Sequence, residues 1–588
     1  MSRIHISAAL ACILVAAPAS TQPRTVTDVQ ALERYLARAE QLGFSGAVLV
    51  ASGDRVLLER GYGWADRRNA VPVTAGTAFG IGSITKQFTA TAILRLQEQG
   101  RLRVTDSIGR FLPGVPADKR GITLHHLLTH TAGLPREVEG LPQPGPTVPI
   151  PPADEYLRHI LAAPLLWQPG TRHQYSNLGF RLLAMVVERA SGMPYERFLR
   201  EQLWLPAGMR QTGFALADFA PGGVARGYTL RDEGTALDRL LPPGAAGTAA
   251  HLGQGGLVST AGDLFRWARA LDDGRVLADS SRRALQTPHV AEDSTGRSHY
   301  GYGWVIATTA RNTRLITHNG SDGVYFADLR RYVDEGVTVV FLTNQIDGLS
   351  EAVLAAIPRL VFGAPVDSLP GASAALAEVP ARYAGAYRLP TGETLTLTHG
   401  GGRLEAPSTA PGVARHLLPL PPLQGDTAAA LAGQTAVVRM MDDLLHGDTA
   451  ATLRMLPPRY TAEEERAFWA EQLPVWARRF GAWRQTEPVG TTPNESGGWD
   501  HWLLIRFERG AAVVRVVQNQ GTADIQTAPP PLLPAAFALA PAGDGELVVY
   551  NTQLRRTLRI QVERDPRGEP VALLIHTPRG VVRAPRLP

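Results

Sequence analysis

The placement of strand-forming stretches restricts the fold of this chain more than any other feature. "SGAVLVASGDRVLLERGYG" (residues 45–63) reads as two strands joined at Ser52-Gly53-Asp54, a hairpin by its apolar runs and turn residues. Strand character then gives way to helices and loops. It returns only at Tyr302 to Ile306, Thr313 to His318, Val324 to Arg330 and Val337 to Thr343, with a turn at Asp334-Glu335-Gly336. The intervening residues include a helix from Ser83 to Gln99, with Ile84, Phe88, Ala92 and Leu96 four apart on one face and Gly100 placed to end it. Amphipathic helices are expected at Val26 to Leu42 and Ser350 to Phe362. Strands at both ends with helices between imply a sheet built from segments distant in sequence, its faces covered by helices, so the class expected is α/β, an α+β sandwich.

Beyond residue 363 the pattern changes. "APVDSLPGASAALAEVP" contains a linker at 366–380, and "RYAGAYRLPTGETLTLTHGGGRLEA" alternates like antiparallel strands. From Thr427 the period turns helical, through "TAVVRMMDDLLHGDTAATLRM" and "AEEERAFWAEQLPVWARRFG", before the strand-like "HWLLIRFERG" and "AAVVRVVQNQG". The tail after Pro534 is strand-like again. At 588 residues the chain is too long for one core and fits several domains.

Composition is that of ordinary globular material, 44% hydrophobic and 19% charged, with a formal charge of +5 and arginines scattered rather than striped, so nucleic-acid binding has no footprint. Arg3 and His5, the apolar run Ile6 to Ala17 and "APAS" follow the order of a secretory signal over residues 1–19, cleaved after Ala19. The run is shorter than the ~20 residues needed to span a bilayer, so no stable membrane span is expected and the protein is placed in the periplasm or outside the cell. The single cysteine, Cys12, lies inside that run, which excludes disulfides and cysteine-based metal sites from the mature chain.

Only two of the 59 Lys+Arg residues are lysine, Lys86 and Lys119. A guanidinium keeps its proton, whereas a desolvated ammonium gives it up, so a retained lysine points to a need for a removable proton. Lys119, among turn residues in "VPADKRG", reads as a solvated surface charge. Lys86 stands three residues after Ser83 at the start of a helix, in "GIGSITKQF", so both side chains face the same way within one turn. A desolvated amine there accepts the serine proton and makes the hydroxyl a nucleophile. In "HQYSNLGF", Tyr175 and Asn177 are two apart ahead of a helix, which on an extended segment sends a phenol and an amide to the same side. Tyr175 is expected to exchange a proton with Lys86, its own pKa lowered by that cation, and Asn177 to hydrogen-bond a substrate amide. "THNGSDG" places His318 at a strand end, Gly320 where backbone approaches a ligand, and the N–H of Ser321 as an oxyanion donor beside that of Ser83.

In this order the three elements resemble the active-site set of the penicillin-recognising serine hydrolases: class C-type β-lactamases, D-alanyl-D-alanine carboxypeptidases and related esterases. "ITLHHLLTHTAGLP" (Ile122 to Pro135) and "GQGGLVSTAGDLFRWARAL" (Gly253 to Leu271) resemble framework segments of the same branch. The likeness covers residues 26–365 and implies an antiparallel sheet flanked by helices with an all-helical subdomain. It implies Ser83 as the acylated nucleophile, Lys86 as its activating partner, and Tyr175 as general base and acid. Asn177, His318, Gly320 and Ser321 become substrate contacts, the substrate a small molecule or peptide, with no metal or organic cofactor. One departure stands out, because His318 occupies the place where β-lactamases of this group carry the lysine of Lys-Thr-Gly. A mostly neutral histidine there weakens recognition of a substrate carboxylate and favours esterase or D-amino-acid peptidase activity. The rival reading is a penicillin-binding sensor that acylates without efficient turnover. Residues 381–425 and 531–588 resemble the two halves of a small lipocalin-like β-barrel, and 427–526 resembles the cone-like α+β fold of the nuclear-transport-factor-like group.

Overall fold

The computed structural model describes residues 29–137 (68 excepted), 152–214, 219, 223–228, 253–369 (294 excepted) and, in interrupted stretches, 381–588. The expected leader at 1–19, most of the 366–380 linker and much of the helix expected at 462–481 lie outside the described residues.

Helix α1 (Val29–Gln41) leads into a hairpin, β1 (Gly46–Ser52) and β2 (Arg55–Tyr62), whose turn places Gly53 at φ +57°, a conformation glycine adopts without strain. Helices α2 (Thr85–Glu98), α3 (Asn177–Ser191) and α4 (Ala261–Asp272) follow, with shorter helices between them. The chain then returns to strands: β3 (Val290–Ala291), β4 (Ser298–Tyr300), β5 (Val305–Thr308), β6 (Arg314–Ser321), β7 (Phe326–Tyr332) and β8 (Val337–Thr343). All eight form one antiparallel sheet in the order β2-β1-β8-β7-β6-β5-β4-β3, and α5 (Gly348–Val361) closes the unit. The hairpin and the last strand, far apart in sequence, therefore pair directly, with Gly46 opposite Thr343 and Ser52 opposite Val337.

Register sorts the side chains. Val48 faces Phe341 and Val50 faces Val339 across β1 and β8, on the side that packs with Leu32 and Leu36 of α1 and Val353 and Ile357 of α5. Leu49 faces Val340 and Ala47 faces Leu342 on the opposite side, against Ile93 of α2 and Leu264 of α4. A strand covered on both faces must be apolar at every position, which is why β1 and β8 read as unbroken apolar runs rather than as alternation.

In the C-terminal region β9 (Gly385–Arg388), β10 (Thr394–Gly400) and β11 (Arg403–Pro407) precede a separate antiparallel sheet of β12 (Trp483–Pro493), β13 (Trp499–Phe507), β14 (Gly510–Asn519) and β15 (Thr522–Gln526). After it come β16 (Ala536–Gly543), β17 (Glu546–Asn551), β18 (Arg556–Arg564), β19 (Pro570–Thr577) and β20 (Gly580–Pro585). β11 pairs with β16, giving a second eight-stranded sheet in the order β9-β10-β11-β16-β17-β18-β19-β20. Its ends nearly meet, because Tyr387 bridges Arg586 and the Leu587 N–H donates to the Ala386 carbonyl at 2.7 Å. Closing the sheet this way leaves little free edge. Helix α6 (Thr427–Leu445) packs Val437, Met440, Met441 and Leu444 against Leu503, Ile505, Val514 and Val516 of the four-stranded sheet, while Trp502 and Leu504 turn the other way into the barrel cluster. The class expected from sequence, an antiparallel sheet flanked by helices followed by a small barrel and an α+β unit, is the class observed.

Lys119 departs from expectation. It is only 2% exposed, its stem packed away and its Nζ donating to Asp118 Oδ2 at 2.7 Å, so the half-exposed carboxylate rather than the lysine faces solvent. Among the described residues, no helix is long and apolar enough to cross a membrane.

Candidate active site

Ser83 lies in a single 3-10 turn, Gly82–Ile84, that runs into α2 at Thr85, so the regular helix begins two residues later than its periodicity suggests. Two glycines set its surroundings. Gly82 has φ +47°, and a Cβ on it would lie 2.5 Å from the Ser321 backbone nitrogen; a Cβ on Gly320 would lie 2.1 Å from the Ile81 carbonyl oxygen and 2.5 Å from the Ser83 backbone nitrogen. Real Cβ atoms do not approach backbone so closely, so only glycine at both positions lets the end of β6 slide against the serine turn. That approach sets the backbone nitrogen of Ser321 against Gly82 and that of Ser83 against Gly320.

Lys86 is fully buried. Its Nζ lies 3.1 Å from Ser83 Oγ, 2.8 Å from Asn177 Oδ1 and 2.8 Å from the Gln254 carbonyl oxygen. Loss of water around the ammonium pulls its pKa well below the ordinary lysine value; nearby Arg181 and Arg136 act in the same direction and Glu137 opposes them. A neutral amine has two hydrogens and one lone pair. With the two carbonyl oxygens at 2.8 Å each accepting one hydrogen, the third position on the nitrogen faces the serine hydroxyl, and it carries a hydrogen in the ammonium and a lone pair in the amine.

Tyr175 precedes α3 and stands close above, with Lys86 Nζ 4.8 Å from its ring centroid and its phenol hydrogen-bonded to the Ser83 side chain. Its pKa is raised, not lowered as expected. Burial dominates, and the serine bond and Arg136 only partly offset the loss of water. Asn177 is the first residue of α3, after Ser176, whose hydroxyl caps the helix. Its amide is engaged at both ends: Oδ1 accepts from Lys86 and Nδ2 donates to Glu137 Oε1 at 2.6 Å, where a free amide for substrate was expected.

His318 is buried in β6, 4% exposed. Its Nδ1 lies 2.6 Å from the Asn319 carbonyl oxygen, to which it must donate, so Nε2 accepts from the Tyr300 hydroxyl at 3.0 Å. Burial, with Lys86 nearby, pulls its pKa down to about 4, which makes the ring neutral near pH 7. Ser321, exposed at the strand end, accepts the Gly323 N–H on its hydroxyl at 3.1 Å. The seven residues singled out from sequence thus lie at the start of α2, at or just before the start of α3, and at the end of β6.

A family model described as Beta-lactamase matches residues 30–361, more than half of the chain. This chain belongs to the beta-lactamase family. It is similar to a penicillin-binding protein of Bacillus subtilis (strain 168), 30% identical over 62% of this chain and 84% of the relative. It is similar also to esterase EstB of Burkholderia gladioli, 31% identical over 54% of this chain and 90% of the relative. Among solved structures, the octameric penicillin-binding protein homologue from Pyrococcus abyssi aligns over 95% of this chain and 100% of that one, with 19% identity and a TM-score of 0.51, a likeness of fold that extends into the C-terminal sheets. The family is one of serine hydrolases, with a carboxypeptidase and an esterase among the relatives.

Within this beta-lactamase family site, four further residues escaped the sequence reading. Tyr300, the partner of His318, lies on β4, a three-residue strand with no periodicity to betray it. Gln254 acts through its backbone carbonyl, which carries no residue signature. His130 is buried at φ +56°, its ring 4.3 Å from that of Tyr175 and 4.6 Å from that of Tyr300, and its Nδ1 accepts the Ser176 N–H at 3.1 Å. A non-glycine residue with positive φ is held there by its surroundings, in this case a stack of rings beneath the tyrosine. Glu137 follows the same framework segment and pairs with both Asn177 and the buried Arg181, 3.4 Å away.

Proposed function

We propose that this protein hydrolyses ester and D-amino-acid amide or peptide carbonyls through an acyl-enzyme on Ser83. The observation that carries the reading is the buried Lys86 amine, its nitrogen 3.1 Å from the serine hydroxyl and 2.8 Å from each of two carbonyl oxygens. Lys86 takes the hydroxyl proton as Ser83 Oγ bonds to the carbonyl carbon. The N–H groups of Ser83 and Ser321 hold the negative charge that collects on the carbonyl oxygen. Tyr175, protonated and bonded to the Ser83 side chain, relays a proton to the leaving group as the tetrahedral centre collapses. Water then repeats the sequence in reverse and frees the acid.

The neutral His318 supports a substrate class. With Nδ1 donating to Asn319 and Nε2 accepting from Tyr300, the ring offers no proton to a substrate carboxylate. A missing charge-assisted hydrogen bond disfavours carboxylate-bearing substrates by about 10- to 100-fold. The N-terminal leader supports export to the periplasm or medium.

Time-resolved intact mass spectra and steady-state rates test this together, using a p-nitrophenyl acyl ester, a D-alanyl amide and a chromogenic cephalosporin. The expected result is a short-lived adduct on Ser83, kcat/KM for the ester above that for the cephalosporin by the factor given, and no adduct or turnover in Ser83→Ala. Hydrolysis that persists in Ser83→Ala would overturn the nucleophile, a preference for the cephalosporin would overturn the substrate class, and an adduct that never clears would make the protein a sensor.

A further inference from the structure

The geometry points to Glu137 as a positioning residue, which sets the orientation of the Asn177 amide and thereby keeps the Lys86 lone pair directed at Ser83. This inference rests on the proposed role of Lys86 as the proton acceptor.

An asparagine amide has nearly the same shape either way round, but its two ends do opposite things. With Oδ1 toward Lys86, as observed, it accepts one amine hydrogen. Turned over, Nδ2 would donate to the amine and capture the lone pair that otherwise faces the serine. Packing cannot choose between the two orientations; only the group at the far end can. That group is Glu137, whose ionised carboxylate accepts and never donates, so its 2.6 Å contact requires Nδ2 on its side and Oδ1 on the lysine side. Arg181, one turn further along α3 and 2% exposed, lies 3.4 Å from Glu137 Oε2 and donates also to the Tyr156 hydroxyl. The Gln254 carbonyl accepts a second amine hydrogen, so with Glu137 in place the Asn177 amide has one orientation toward Lys86.

The test compares Glu137→Gln, which retains an acceptor oxygen at the right distance, with Glu137→Leu, which has none. For each, kcat and KM for the p-nitrophenyl ester are measured from pH 4 to 10 beside a thermal melt, with Ser83→Ala as control. Glu137→Leu is expected to lose about 10²-fold in kcat with KM little changed, the size of effect that misplacing a reacting group produces. Glu137→Gln is expected to fall between Glu137→Leu and the wild type, since its amide can present either an oxygen or an N–H to Asn177 and holds the orientation only part of the time. Its acid limb should move to lower pH, since the carboxylate that favours the charged amine is gone. The other groups around Lys86 are Arg181, Arg136, His130, His318 and Tyr175; they are unchanged in both variants, so the displaced limb reports Glu137. Wild-type kcat in a folded Glu137→Leu, or equal losses in both variants, would overturn the assignment. Activity surviving in Ser83→Ala would instead overturn the nucleophile on which it rests.

Discussion

At the scale of single residues the site depends on two side chains whose charged forms burial disfavours. Burial pulls the Lys86 pKa well below the ordinary lysine value, whereas a guanidinium in its place would keep its proton. Lys86→Arg should therefore leave a folded protein whose ester hydrolysis falls by about 10³-fold, a general-base-sized effect read from kcat/KM. His318 makes a different prediction. Its folded pKa of about 4 lies below that of an unfolded histidine, so between those values the unfolded chain binds more protons, and stability is lost as the pH falls through that window. The contribution is roughly 3 kcal/mol between pH 6.5 and 4. Urea unfolding at pH 7 and pH 4.5 should show His318→Gln losing less stability on acidification than the wild type; identical losses would mean the ring is not held neutral. Ser83, Lys86 and Tyr175 could be read from sequence because their chemistry is unusual against a lysine-poor background. Glu137 and Tyr300 could not, since a glutamate or tyrosine acquires meaning only from the partner that a distant segment brings to it.

At the scale of elements, the turn before α2 and the end of β6 work as one unit, joined where two glycines leave room for backbone. Gly320→Ala puts a methyl 2.1 Å from the Ile81 carbonyl oxygen, and neither backbone segment can give way without parting the two N–H donors. We expect about 1–3 kcal/mol of destabilisation from overpacking. The loss of one oxyanion donor adds at least about a 10²-fold fall in kcat. Gly53→Ala, at a positive-φ turn with nothing within 4 Å of its Cβ, is the control: it should cost some stability and leave kcat intact, and equal kcat losses in both variants would detach the glycine contact from the chemistry. The long elements α2, α3, β6 and β7 were legible because burial imposes a period on them, and β1 and β8 because burial on both faces leaves an unbroken apolar run. β3 and β4, two and three residues long, carry no period, and they form only because β5 offers an edge to pair with.

At the scale of the whole molecule, the C-terminal barrel is seated on the face of the first sheet turned away from α2. Ala540 and Val548 stand opposite each other across β16 and β17 and pack in the cluster of Leu32, Leu36, Val353 and Ile357, whereas their neighbours Leu539, Leu547 and Val549 point into the barrel. Alternation thus gives one barrel wall an apolar lining on both sides. Val548→Asp places an unpaired charge in that seam and should destabilise the α1–α5 layer by at least about 3 kcal/mol, read as a lower denaturation midpoint for ester hydrolysis. An unchanged midpoint would show that the catalytic unit does not lean on the barrel. Sequence alone determined which stretches are strands and helices, that the first and last strands of the catalytic region belong to one sheet, and which serine and lysine stand one turn apart, since all of these follow from local period and spacing. Only the tertiary structure decided that burial lowers the Lys86 pKa and raises that of Tyr175, that Asn177 is held by Glu137 and that His318 is closed off by Tyr300. Charge state and hydrogen-bond direction depend on the absence of water and on groups contributed by segments far apart in the chain, and neither is a property of neighbouring residues.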